Sequence, residues 1–190
     1  MSTERKANER VYSSELWGQV MAAAALAVAL IIAPVPTEPP AQPQQIELFA
    51  TKHDPRMTGT RLPYRGKYWR QHQAELTRCV LLRETNAHWF STNRSAGYFG
   101  AFQFTSALAV GASWMMRDEL RQMYGFKVGT LVSRQLRATE MHRWLPFYQQ
   151  MAFATVLNWE GDESGLSHWH GGRWNCARHD DRRRSADSVQ

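Results

Sequence analysis

Between Leu16 and Thr37 the chain carries no charged side chain, and Val20-Met-Ala-Ala-Ala-Ala-Leu-Ala-Val-Ala-Leu-Ile-Ile-Ala33 is apolar almost throughout. About 20 such residues span the hydrocarbon core of a bilayer, and no polar face interrupts the run, as it would in a helix at the surface of a soluble core. Residues 16–35 are therefore expected to enter a membrane, either as a retained anchor or as a cleaved export signal. Ala25-Leu-Ala27 and Ala27-Val-Ala29 satisfy the small-residue cleavage pattern but lie inside the run, which favours retention. Arg5, Lys6 and Arg10 precede the segment, and the intervening Glu4, Glu9 and Glu15 weigh little in the orientation rule. Residues 1–15 are expected in the cytoplasm and everything after the segment outside it.

All of the eight prolines except Pro146 fall between Pro34 and Pro63. Proline removes a backbone donor and fixes φ, so residues 36–67 are expected to form an extended, partly polyproline-II spacer. What remains of the 190 residues, at 43% hydrophobic overall, suffices for one core. That domain is expected over 68–177, as a monomer, with 178–190 a charged, solvated tail. The net charge of +6 suits an anionic polymer or surface as a diffuse partner. It is spread along the chain without a dense basic stripe, so no nucleic-acid partner is expected.

Cys79 and Cys176 are the two cysteines, and they bracket nearly all of the expected domain. Outside the cytoplasm a disulfide between them is the natural reading, and inside it two buried thiols. The expected export favours the bond.

The fold class expected is mainly α. No glycine or proline interrupts Lys67 to Thr85, where Trp69, Leu76, Val80 and Arg83 follow helical spacing, so one helix should end just after Glu84. From Asn86 to Gln103 the chain turns irregular, with Asn93-Arg-Ser-Ala-Gly97 as turn material and Gly97-Tyr-Phe-Gly100 as a short extended piece. This is the expected short loop or hairpin beside the first helix. Ser106 to Tyr124 and Leu131 to Trp144 read as helices separated by Gly125 and Gly129, and Phe147 to Trp159 as a central helix apolar on more than one side.

A glutamate at a helix end facing an aromatic, irregular segment is an arrangement suited to glycoside cleavage. Burial beside apolar groups keeps a carboxyl protonated nearer neutrality, so it can donate to a leaving glycosidic oxygen. The carbonyl end of a helix disfavours negative charge and acts in the same direction.

The string Glu84-Thr-Asn-Ala-His-Trp89, followed by Gly97-Tyr-Phe-Gly-Ala-Phe-Gln-Phe104, resembles the resuscitation-promoting factors and their actinobacterial relatives with lysozyme-like, lytic transglycosylase-type domains, a type also found in phage cell-wall hydrolases. Gln149-Gln-Met-Ala-Phe-Ala154 is similar to that family's glutamine-glutamine helix, and Trp174-Asn-Cys176 to its closing tryptophan and cysteine. The matching strings run from Cys79 to Cys176, about half the chain. Two features depart from the pattern. Cys79 stands five residues before Glu84 rather than directly in front of it, and Met115 to Trp144 is longer than in the smallest members.

The resemblance implies a lysozyme-like domain that cleaves the glycan strand of peptidoglycan between N-acetylmuramic acid and N-acetylglucosamine. It implies Glu84 as the acid, Thr85, Trp89, Tyr98, Phe102 and Gln103 as sugar contacts, and the Cys79–Cys176 disulfide. Aromatic platforms and amides are what the apolar faces and acetamido groups of these sugars ask for. Hydrolysis normally needs a second carboxylate, whereas a lyase-type reaction can use the substrate's own 6-hydroxyl and one protein acid. Asp118, Glu119, Glu160, Asp162 and Glu163 are the available partners, and none stands at a telling position, which favours the single-acid route. No cofactor is expected. His88, His168 and His170 lack metal-ligand spacing, so no metal is expected either. The rival readings are a peptidoglycan-binding module without turnover and a structural membrane or virion component with a vestigial domain.

Overall fold

A computed structural model describes residues 46–170 and Cys176. The expected membrane segment, the first part of the proline-rich spacer, the charged tail and Trp174 lie outside these residues. Five α-helices carry the described region: α1 (Ala74–Thr85), α2 (Ser106–Met115), α3 (Arg117–Tyr124), α4 (Phe126–Arg137) and α5 (Pro146–Asn158). Three two-residue strands lie between α1 and α2: β1 (Thr92–Asn93), β2 (Tyr98–Phe99) and β3 (Phe104–Thr105). The domain is thus mainly helical with few strands, and among the described residues no helix is long and apolar enough to cross a membrane.

The folded region begins earlier than the spacer reading allows. Leu48, Ala50, Met57, Leu62 and Tyr64 are buried in the common core. Ala50 N donates to the Arg143 carbonyl and Leu145 N to the Leu48 carbonyl, while Trp89 N donates to the Met57 carbonyl. Pro55 and Pro63 therefore punctuate a packed arm over 46–67, with Pro55 opening a short 3-10 turn capped by Asp54. Prolines limit hydrogen bonding at their own nitrogens but leave intervening apolar side chains free to pack.

α1 buries Ala74, Leu76, Thr77, Val80 and Leu81, one stripe at helical spacing. The helix stops at Asn86, which adopts the left-handed conformation (φ 52°) that asparagine tolerates better than most residues. Its end agrees with the expectation, but Gln71–Gln73 form a separate 3-10 turn and the α-helix starts only at Ala74. β1, β2 and β3 pair antiparallel in sequence order, with Thr92 opposite Phe99 and Tyr98 opposite Thr105. Successive strand residues face opposite sides, so Phe99 is buried and Tyr98 exposed.

The single helix expected over Ser106–Tyr124 is divided at Met116 into α2 and α3, and the next helix begins at Phe126 rather than Leu131. Gly129 does not break it. A Cβ at this glycine would stand 2.4 Å from the Leu120 carbonyl oxygen and 2.5 Å from the Arg121 nitrogen. Gly129 is the point where α3 and α4 touch backbone to backbone.

Pro146, with φ already helical and no N–H to leave unpaired, begins α5. All but Phe147 of α5 is buried, so it is the central helix. Its polar residues hold the surrounding chain. Gln149 Oε1 accepts from Ala101 N (2.8 Å) while its Nε2 donates to the Trp89 and Trp144 carbonyls (3.0 and 2.7 Å). Gln150 pairs with both backbone groups of Tyr64, and Asn158 pairs with the Gln73 side chain and the Tyr68 carbonyl. Cys79 and Cys176 form a disulfide, with Cα atoms 5.7 Å apart and a sequence separation of 97. In the chain-entropy model, closing so long a loop contributes about 4–5 kcal/mol.

Gln149→Met preserves volume but strands a buried N–H and two carbonyls. It should lower unfolding stability by about 3 kcal/mol, read as a lower urea midpoint at unchanged slope.

Candidate functional site

The last turn of α1 points Glu84 into a crevice of about 440 Å³ lined by Arg83, Glu84, Asn93, Tyr98, Gln103, His168 and Trp169. That size falls within the range of small-ligand sites. Three chain segments build it. The left-handed Asn86 ends the helix immediately after Glu84 and Thr85, leaving the carboxyl at its rim. The β1–β2 ladder sets Asn93 opposite Tyr98. A tight turn brings in Gln103, whose backbone (φ 52°) is left-handed and whose Nε2 donates to the Gly100 carbonyl at 2.8 Å.

The Glu84 side chain keeps 21% of its exposure. Its Oε1 accepts from Arg83 Nε at 3.1 Å and from Arg83 Nη2 at closer range. The same Nη2 donates to the Trp169 carbonyl at 2.7 Å. Arg83 thus joins the carboxylate to the 3-10 turn Leu166–Trp169. Trp169 is fixed in turn, its indole donating to the Phe102 carbonyl at 2.8 Å.

Of the residues expected at the site, Glu84, Tyr98 and Gln103 line this crevice together. Thr85, Trp89 and Phe102 do not. Thr85 is half-buried, its hydroxyl in reach of the Leu81 and Ala101 carbonyls (3.3 and 3.1 Å), so it ties the end of α1 to the Gly100–Gln103 turn. Trp89, 1% exposed, donates from its indole to the Gly59 carbonyl and packs edge-on to Phe102. Phe102 is fully buried and stacks on Phe153 with centroids 4.2 Å apart. Two of the three expected aromatic platforms are therefore core side chains, because the arm over 46–67 covers Trp89 and α5 covers Phe102. Trp89 borders a different groove of about 520 Å³, beside Pro63 and Phe147, whose lining includes no carboxylate. Tyr98, 40% exposed, is the ring available beside the acid.

The sequence reading missed Arg83, Asn93, His168 and Trp169 as crevice residues. Arg83 carried a signal as the neighbour of Glu84, but helical spacing marked it as part of a packed stripe. His168 drew notice only for metal-ligand spacing. Among the described residues no three His, Cys, Asp or Glu side chains stand together as metal ligands would. None of Asp118, Glu119, Glu160, Asp162 and Glu163 lines this crevice, although Glu160 lines a neighbouring cleft that shares His168 with it. Glu119 is buried and accepts from the Tyr64 hydroxyl (2.8 Å) and Lys67 N (2.7 Å), Asp118 pairs with Arg121, and Asp162 pairs with Arg70. Among the described residues, Glu84 is the sole carboxylate lining its crevice.

Comparison with protein-family models, curated proteins and solved structures found no match to this chain.

Behind the strands, His142 is buried against Phe90 and Phe99, with ring centroids 4.8 and 6.0 Å away. Burial holds its pKa below the ordinary 6.5; Glu140 opposes this shift, and Arg94 and Arg143 add to it. The unfolded chain therefore takes up this proton at higher pH than the folded one. Stability from His142 is complete above about pH 6.5 and is lost as the pH falls below it. Thermal unfolding followed from neutral to acid pH should show this decline, and His142→Phe should reduce its slope.

Proposed function

We propose that this chain cleaves the glycan strand of peptidoglycan at the bond between N-acetylmuramic acid and N-acetylglucosamine, with Glu84 as the acid. The observation that carries the reading is a lone carboxyl at the rim of a ligand-sized crevice, among a phenol, two carboxamides and an imidazole. Such groups hydrogen-bond hydroxyl and acetamido substituents, and Tyr98 adds a ring on which an apolar sugar face can rest. The ordered strings around Glu84, Gln103, Gln149 and Cys176 support it through their resemblance to resuscitation-promoting factors. In this reading the domain works outside the cytoplasm, tethered by residues 16–35 or released after their cleavage. The disulfide suits an oxidising compartment.

The single carboxylate favours the lyase-type route. Glu84 gives its proton to the bridging oxygen as the bond from that oxygen to the anomeric carbon breaks. The substrate's own 6-hydroxyl oxygen then bonds to that carbon and returns its proton to Glu84, leaving a 1,6-anhydro end and consuming no water. A transferable proton requires that productive binding separate Glu84 from Arg83.

The contact with Arg83 also favours a second reading, in which the crevice holds glycan strands without turnover. Glu84→Gln separates the two. A general acid contributes about 10²- to 10⁴-fold, so the substitution should reduce release of soluble fragments from purified wall by at least that lower factor while sedimentation with wall persists. Fragment release at the normal rate would remove Glu84 from the chemistry. Wild-type sedimentation without release would favour the binding module. Mass spectrometry of the fragments should find anhydro ends, and reducing ends would indicate hydrolysis.

A further inference from the structure

We propose that the cleft between α2, the end of α5 and the Leu166–Trp169 turn is a further saccharide subsite, continuous with the Glu84 crevice; this rests on the glycan-cleavage reading above. Its central feature is Trp159, the residue directly after α5, which stays 46% exposed. Its ring lies against that of Tyr68 with centroids 5.7 Å apart, and Tyr68 is itself buried beneath the Lys67 ammonium. Trp159 is thus supported from behind rather than left to swing in solvent.

The exposed part of the ring borders a cleft of about 210 Å³, shared with Leu108, Met115, Glu160, Ser164 and His168. Gly165 makes the cleft close. A Cβ there would stand 2.0 Å from the Val156 carbonyl oxygen, so only glycine lets the turn sit directly on α5. His168 is exposed and lines both this cleft and the crevice of Glu84. The two depressions therefore share a wall.

A scattered exposed tryptophan needs no explanation, and Trp114, 51% exposed, shows the contrast. The Arg137 guanidinium lies 3.6 Å from the Trp114 ring centroid, with Arg117 at 5.3 Å, so cations already occupy its surroundings. Trp159 instead stands in a concavity with a carboxylate, a hydroxyl and an imidazole around an apolar floor. This is the combination a pyranose presents in complement, with C–H faces for the ring and hydroxyl edges for the polar groups. A polymer threaded past Glu84 has further sugars to offer such a place.

The test uses the full chain carrying Glu84→Gln, to prevent turnover, titrated calorimetrically with a tetrasaccharide and an octasaccharide of alternating N-acetylglucosamine and N-acetylmuramic acid. The octasaccharide should bind more tightly. Adding Trp159→Leu, which keeps an apolar cover on Tyr68, should weaken it about three- to tenfold and narrow the gap between the two ligands. Adding Glu160→Ala instead, at an exposed position, should weaken the octasaccharide in the same sense if the leucine variant fails to fold. Unchanged octasaccharide affinity in the folded variant, or no octasaccharide binding before substitution, overturns the subsite. Octasaccharide binding that depends on Trp159, in a protein whose wild-type form releases nothing from wall, supports the subsite and overturns the cleavage reading instead.

Discussion

Buried carboxamides on the central helix are the constraint from which the rest of this architecture follows. A buried peptide group without a partner costs about 1–3 kcal/mol, and loops that cross a core expose many such groups. Here Gln149, Gln150 and Asn158 meet them from within, holding Ala101, Trp89, Trp144, Tyr64 and Tyr68 by their backbones. α5 therefore acts less as an apolar rod than as a row of fixed donors and acceptors around which irregular chain can be wound. The proline-punctuated arm and the strand segment both use it. Gly100 belongs to the same device, since a Cβ there would come within 2.7 Å of Gln149 Oε1.

This arrangement sets the crevice at one remove. Gln149 holds Ala101, Thr85 reaches the carbonyl of the same residue, and the turn from Gly100 to Gln103 is thereby fixed to both α5 and the end of α1. Glu84 sits beside Thr85, and Tyr98 sits one strand position before Phe99. Glu84 and Tyr98, which line one crevice, thus sit on segments held by groups that do not line it. The disulfide at Cys79 joins α1, which carries Glu84, to the chain beyond the Leu166–Trp169 turn.

The helices and the end of α1 were legible because they depend on local facts: apolar spacing, an uninterrupted run to Thr85 and a turn-prone Asn86. The pairing of the cysteines was legible because the sequence holds two, one at each end of the expected domain, and they have a single partner each. Gly129 misled because glycine carries two meanings, a break or a close approach, and the second appears only when α3 is present to be approached. The arm over 46–67 misled because its prolines are conspicuous, while Leu48, Met57, Leu62 and Tyr64 acquire their meaning from a core built of residues far along the chain. The family resemblance implies Trp89 and Phe102 as sugar contacts, yet both are buried in the core. An aromatic next to a candidate acid in sequence can face either side, and long-range packing decides which.

Arg83 ties the functional readings together. A hydrogen bond to a charged group contributes about 1.5–3 kcal/mol, and Arg83 makes such contacts to Glu84 while also engaging the Trp169 carbonyl. In the proposed reaction a sugar has to separate Glu84 from this guanidinium before a proton can move. Energy for that step has to come from contacts away from the scissile bond, which is how remote binding assists chemistry. His168 stands on the same short turn as the carbonyl that Arg83 holds, and it faces the cleft of Trp159. A strand filling that cleft would bear on the turn to which Arg83 is tied, so an extended substrate is better placed than a short one to free the acid. On this view the Arg83–Glu84 contact and the exposed tryptophan belong to one device, with turnover reserved for polymeric glycan.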